Sequence, residues 1–136
     1  MNLHVLPLSL EGGLRLFNAG RFFDAHEVWE DVWRDTPRDR AVRRHMQGMV
    51  QMAVAFHHWT TGNVTGARSV LARSQRNLAG AETSFPLIDV AQLRSDAEGW
   101  LRYMEGIPDA RCEYGGRREY KKTGVLPPLP TILLLR

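Results

Sequence analysis

The chain has 136 residues and 43% hydrophobic content, which is enough for one compact domain with its own core. Its single cysteine, Cys112, excludes an internal disulfide and suits a reducing compartment. The formal net charge is +3, but residues 1–112 carry 13 arginines and 13 acidic residues, so the excess lies in the basic tail. A short basic tail is usually solvated, and nucleic-acid binding is therefore not expected from the net charge.

Five helices are predicted, with glycines and prolines at their boundaries. In chain order they span about residues 9–18 (or 11–18), 21–34, 39–60, 64–78 and 89–105. Gly20 and Gly62 provide two tight turns, and Asn63 can cap the fourth helix. Pro37 ends the second helix, and Asp35 and Asp39 can cap there. The body shows no strand-like alternation, so the predicted class is an all-α bundle of four to five helices.

Two segments of the chain, NAGRFFDAHEVW and TTGNVTGARSVL, resemble each other and indicate two helix–turn–helix hairpins. We predict one helical bundle domain over residues 1–106, built from these hairpins and a fifth helix. Residues 107–136 contain Gly-Gly and Pro-Pro-Leu-Pro and are predicted to form an extended tail. The apolar end of that tail, residues 132–135, is expected to pack on the bundle or on a partner.

The N-terminal sequence MNLHVLPLSLEGG has neither a basic segment nor a long apolar one. No apolar run approaches the roughly 20 residues of a membrane helix. We therefore expect a soluble cytoplasmic protein without a signal peptide or a membrane span. A homodimer is a further hypothesis, because the tryptophans and the apolar C-terminal end offer contact area.

The segment AHEVWEDVW of the second helix combines a histidine with carboxylates and tryptophans. At 100° per residue, His26 falls among the aromatic residues of this helix, and Glu30 lies one turn further along. A histidine in that position needs a hydrogen-bond partner, and Glu30 at i+4 is the local one. The segment is similar to the HExxH motif of zinc proteases, but Glu30 replaces the second histidine and Glu27 falls on the solvated face. A protease function is therefore set aside.

The third helix carries a second polar stripe, formed by Gln47, Gln51 and His58. If this stripe packs against His26 and Glu30, the two helices enclose a semi-buried polar pocket that Trp33 walls. Such a pocket could bind a small polar ligand, or a divalent metal ion held by His26, Glu30 and His58 with open positions for water. The alternative is a structural hydrogen-bond network in a non-enzymatic scaffold or interaction module. We favour the network over the metal, because buried polar groups usually satisfy one another.

Three motifs in this order resemble the bacterial and archaeal domain-of-unknown-function 309 family. They are His26-x-x-x-Glu30-x-x-Trp33, Gln47-Gly48-x-x-Gln51 and His58-x-x-x-Gly62-Asn63. The likeness covers about residues 12–105, and the tail after Gly106 extends beyond the shortest members of the family. The resemblance implies a small helical bundle; the first motif is the family's hallmark, and metal binding has been suggested for it. No activity is implied.

Overall fold

The computed structural model describes residues 8–107 and 126–135. Within these residues the protein is all-α, as predicted, with helix boundaries close to the expected ones. The helices are α1 (Leu8–Asn18), α2 (Phe22–Asp35), α3 (Ala41–Thr60), α4 (Val64–Asn77) and α5 (Val90–Glu105). A short 3-10 turn, Ala81–Thr83, follows α4. None of the described helices combines the length and hydropathy needed to cross a membrane.

The first four helices form the two hairpins that the internal similarity predicts. Gly20 between α1 and α2 has φ 79°, and Gly62 between α3 and α4 has φ 85°, the left-handed conformation that favours glycine. Ala25 and Ala67 occupy matching places after these turns, and both are fully buried. The small side chains let the two helices of each hairpin approach closely.

A second pair of glycines lies where the helices of each hairpin cross. A Cβ on Gly13 of α1 would lie 2.0 Å from Nε1 of Trp29 on α2. A Cβ on Gly48 of α3 would lie 2.7 Å from Cγ of Leu78, just after α4. Both crossings are therefore closer than an alanine would allow.

An aromatic cluster joins the hairpins to α5. Phe17 stacks on Trp29 with ring centroids 5.7 Å apart, and Phe22 lies 5.6 Å from Phe56 of α3. Phe56 in turn meets Trp100 of α5 edge to face at 5.4 Å. All five side chains are at most 2% exposed, so this cluster is the centre of the core.

The helix starts follow the sequence prediction only in part. Asn63 caps α4 as expected, because its Oδ1 accepts the backbone N–H of Gly66 at 2.9 Å. The expected cap of α3 by Asp35 or Asp39 is wrong. Helix α2 continues through Asp35, and the N-cap of α3 is Arg40, which makes no side-chain cap bond.

Three helix C-termini are capped by arginines from elsewhere in the bundle. Each guanidinium donates to backbone carbonyls in the last turn of a helix or directly after it, where the i+4 amide of a continuing helix is missing. The donors and acceptors are Arg43 to Trp33 and Thr36 at the end of α2, Arg44 to Arg76, Asn77 and Ala79 at the end of α4, and Arg68 to Met104 and Ile107 at the end of α5. The positive charge also opposes the negative end of each helix dipole.

Residues 126–135 lie along the bundle and contact both α1 and α5. The side chain of Asn18 exchanges two hydrogen bonds with the backbone of Ile132, at 3.0 and 2.8 Å. Ile132 is 3% exposed, and Nε1 of Trp100 donates to the carbonyl of Pro128 at 2.9 Å. An isolated antiparallel bridge between Ile88 and Leu134 continues this attachment. The basic part of the predicted tail, residues 108–125, lies outside the described residues.

Candidate functional site

The pair predicted within the second helix is present. Nε2 of His26 lies 2.9 Å from Oε2 of Glu30, and Oε1 of Glu30 accepts from Arg34 at 2.7 Å. The His26 side chain is 21% exposed and that of Glu30 is 34% exposed. His26, Glu30 and Arg34 thus form a continuous polar ladder along the outer side of α2.

Both ring nitrogens of His26 face oxygen atoms. Nδ1 lies 3.1 Å from the backbone carbonyl of Phe23, while Nε2 faces the Glu30 carboxylate. A carbonyl and a carboxylate both accept hydrogen bonds, so each ring nitrogen of His26 faces an acceptor within the same helix. A metal ion at either nitrogen would have to displace one of these two oxygen atoms.

The aromatic neighbour of His26 differs from the prediction. Its ring lies 5.3 Å from Phe23, which is 48% exposed, rather than in the aromatic core where Trp29 lies. Phe23 also lies 5.1 Å from the ring of His57 on α3. The imidazole of α3 that shares the Phe23 ring with His26 is therefore His57, whereas the prediction placed His58 beside His26.

The second motif lies at the crossing of α3 and α4. Oε1 of Gln51 accepts from Nδ2 of Asn77 at 2.8 Å, and Oγ of Ser74 donates to the carbonyl of Gly48 at 2.7 Å. Gln47 is half-buried, and its side chain forms no hydrogen bond with any residue in the described ranges. Gln51 therefore pairs with α4, and not with His26 and Glu30 as the pocket prediction requires.

The third motif builds the turn between α3 and α4. Because Oδ1 of Asn63 is occupied by Gly66, its amide nitrogen faces Nδ1 of His58, at 3.3 Å, and donates to it. Burial lowers the pKa of His58, and the neighbouring His57 lowers the pKa further, so the ring is held neutral. The backbone N–H of Asn63 also donates to the carbonyl of His58 at 2.8 Å. His58 thus positions the residue that caps α4.

Trp33, the predicted wall of the pocket, is half-buried and supports an arginine. The guanidinium carbon of Arg43 lies 4.2 Å from the Trp33 ring centroid. The buried Nε1 of Trp33 forms no hydrogen bond with the described part of the chain. Trp33 therefore holds the arginine that caps its own helix.

The predicted site residues are thus distributed over three contacts. His26 and Glu30 meet each other, Gln51 meets Asn77, and His58 meets Asn63. Among residues 8–107 and 126–135, no group of three or more His, Cys, Asp or Glu side chains is arranged to hold a metal ion. The rotation of α3 explains the difference, because its polar stripe faces α4.

One buried histidine was not recognised as a bonded group from the sequence. His45 is 2% exposed, its Nδ1 lies 2.5 Å from Oγ of Ser84, and Arg44 lies 3.2 Å from its Nε2. Burial, followed by the charge of Arg44, lowers the pKa of His45. Through this contact with Ser84, His45 of α3 holds the loop after α4 in place. No local pattern could reveal this, because 39 residues separate its two members.

Two relatives of the chain are uncharacterised proteins. One, from Aquifex aeolicus (strain VF5), is 26% identical over 89 residues, which are 65% of this chain and 26% of that protein. The other, YpuF from Bacillus subtilis (strain 168), is 36% identical over 63 residues, which are 46% of this chain and 36% of that protein. The matched regions span about a quarter and a third of these two relatives.

Residues 10–70 match the model of the family described as "Domain of unknown function (DUF309)". The match ends within α4, so it is shorter than the likeness over residues 12–105 that the motifs suggested. All three motifs fall inside the matched segment. Over residues 10–70, just under half of its length, this chain is therefore similar to the domain-of-unknown-function 309 family.

Proposed function

We propose that this domain is a non-enzymatic helical scaffold whose motif residues fix the helices and leave the outer surface for a macromolecular partner. The observation that supports it is that most polar groups of the motifs are bonded within the protein, the side chain of Gln47 and Nε1 of Trp33 being the exceptions among the described residues. Both nitrogens of His26 and both oxygens of Glu30 have partners, and Gln51 is bonded to Asn77. A ligand site would instead present converging donors and acceptors that are free to bind.

Each motif has a separate structural role in this proposal. The first stabilises the outer side of α2, the second sets the close crossing of α3 and α4 at Gly48, and the third positions the N-cap Asn63. A residue pattern can thus be required by the fold without a reaction.

A double-mutant cycle with His26→Ala and Glu30→Ala tests the structural role. Because both side chains are partly exposed, we expect a coupling of about 0.3–0.5 kcal/mol in the free energy of unfolding. The matched control is the i, i+4 pair of Glu11 and Arg15, which is more exposed, at 43% and 79%, and should couple no more strongly. A His26–Glu30 coupling of zero would contradict the scaffold role of the first motif.

A divalent metal site or small-ligand site is the second candidate. It is supported by the partial exposure of His26 and Glu30 and by the nearby imidazole of His57, which packs on the same Phe23 as His26. In the predicted set, His26 and His58 would supply ring nitrogens and Glu30 a carboxylate oxygen, with open positions for water as in catalytic metal sites.

Elemental analysis separates the two candidates. The protein is purified without chelator or affinity metal, alongside His26→Ala. The scaffold proposal expects no stoichiometric divalent metal in either sample. Stoichiometric metal that the His26→Ala variant lacks would replace the scaffold with the metal site.

Self-association is a separate part of the scaffold proposal. Several leucines of residues 126–135 remain exposed, with Leu134 at 61%. Sedimentation velocity over a range of concentrations should show a dimer if this surface binds a second copy. A monomer at high concentration would remove the homodimer hypothesis.

A further inference from the structure

The formal charges of the helical bundle cancel overall, but the charged residues are distributed unevenly along the chain. The α3–α4 hairpin with its preceding loop, residues 36–77, carries seven arginines and one acidic residue, which gives a formal charge of +6. Residues 8–35 carry three arginines and six acidic residues, and residues 78–107 carry two arginines and five acidic residues. Each of these two segments therefore has a formal charge of −3. The positive charge is therefore concentrated on one hairpin.

The arginines of the hairpin also differ from the others in their partners. In the flanking helices, Arg15, Arg21, Arg34 and Arg102 form ion pairs with carboxylates. No arginine of the hairpin forms an ion pair with a described residue. Four of them are exposed, and their guanidinium groups have no bond to any residue in the described ranges. We call these the arginine face: Arg38, Arg40, Arg73 and Arg76.

The helix packing brings the two halves of the arginine face to the same end of the hairpin. The guanidinium of Arg44 in the first turn of α3 donates to the carbonyls of Arg76 and Asn77, at 3.1 and 3.2 Å. Arg40, the N-cap of α3, therefore lies near the last turn of α4. Arg73 and Arg76 are three residues apart on the exposed side of that helix.

The surroundings of the arginine face indicate the kind of partner. None of the large hydrophobic side chains that are exposed in the described structure lies within residues 36–77. Protein interfaces usually contain an apolar centre, and single-stranded nucleic acids bind aromatic platforms. Interfaces with nucleic-acid duplexes are polar and positively charged, with arginines on the phosphates.

We propose that the arginine face binds the phosphate backbone of a nucleic-acid duplex without sequence preference. The inference rests on the proposed function, in which the outer surface of a non-catalytic scaffold holds a partner. The neutral formal charge of the helical body argued against a nucleic-acid partner. The affinity of a duplex depends, however, on the local charge of the protein surface that it contacts.

The test measures the binding of the full chain to a short fluorescein-labelled DNA duplex of random sequence by fluorescence anisotropy. If all four arginines contact phosphates, affinity should fall about 150-fold between about 50 and 200 mM salt. In Arg73→Gln/Arg76→Gln, with two contacts left, the fall should be about 12-fold. The control Arg15→Gln/Arg102→Gln removes the same charge from exposed, ion-paired arginines and should retain the wild-type salt dependence.

A second variant, Arg38→Gln/Arg40→Gln, should reduce the salt dependence in the same way. The proposal is overturned if the control loses as much affinity as both of these variants. It is also overturned if polyglutamate or a single-stranded oligonucleotide of equal length binds more tightly than the duplex. Either result leaves the scaffold proposal standing, because that proposal is tested by the His26–Glu30 coupling and by metal content.

Discussion

Replacing Gly13 with alanine tests how closely the first two helices approach. The added Cβ would lie 2.0, 2.4 and 2.6 Å from Nε1, Cδ1 and Cε2 of the Trp29 indole. That ring is rigid and fully buried, and its Nε1 donates to the carbonyl of Leu10 at 3.1 Å. The ring cannot move aside without breaking this bond or displacing the core around Phe17.

The expected loss of stability follows from three contributions. Overpacking a well-packed core costs about 1–3 kcal/mol. Leaving the buried indole N–H without its acceptor costs about 1–3 kcal/mol more. The higher helix propensity of alanine returns about 1 kcal/mol. The net destabilisation of Gly13→Ala is therefore about 1–5 kcal/mol, and at the midpoint of about 3 kcal/mol the unfolding temperature should fall by roughly 10 °C.

The assay is thermal and urea unfolding followed by circular dichroism, and the chain provides its own control. Gly12 precedes Gly13 in α1, and a Cβ there would meet no atom within 4 Å. Gly12→Ala should therefore be neutral or stabilising by up to about 1 kcal/mol. In a Trp29→Phe background the penalty of Gly13→Ala should shrink, because the smaller ring lacks Nε1. If Gly13→Ala is as stable as Gly12→Ala, the close approach inferred here is wrong.

Three further predictions concern single contacts. The pKa of His45 is lowered in the folded state, so the unfolded state binds a proton more readily. The free energy of unfolding should therefore be highest above about pH 6.5, the ordinary pKa of histidine, and should fall as the pH drops below it. His58 contributes with the same sign. The free energy of unfolding, measured with urea at several pH values, should depend less steeply on pH in His45→Gln than in the wild type. An unchanged pH dependence would refute the assignment. Asn63→Ala removes the cap of α4 and should cost about 1 kcal/mol in the same assay, whereas no change would show that the cap contributes nothing. Asn18→Ala removes both bonds to the backbone of Ile132, so amide exchange of residues 126–135 should accelerate while α3 is unaffected; equal exchange in the wild type and the variant would show that the tail is held by other contacts.

The features that the sequence predicted correctly are local. His26 and Glu30 are one helical turn apart, so their pairing follows from the helix geometry. Gly62 and Asn63 follow a long apolar helix directly, and their backbone preferences specify a turn and a cap. Each of these predictions needed only residues within about one turn of one another.

The contacts that the sequence did not predict depend on how the helices are rotated about their axes relative to one another. Periodicity places Gln51 and His58 on one stripe of α3, but it does not say which neighbour the stripe faces. The structure directs the stripe to α4, because Gly48 and Ser74 allow the backbones of these two helices to approach closely. The pairing of His45 with Ser84 likewise depends on the path of the chain after α4.

The attachment of Asn18 to Ile132 joins residues that are 114 positions apart in the chain. During synthesis the two hairpins are complete long before residue 132 exists, and their local contacts form quickly. The site that Ile132 occupies in the core therefore stays empty on the nascent chain until residue 132 has emerged. Nε1 of Trp100 donates to the carbonyl of Pro128 in the same C-terminal segment. The fluorescence emission of its indole should therefore change when this segment packs on the bundle.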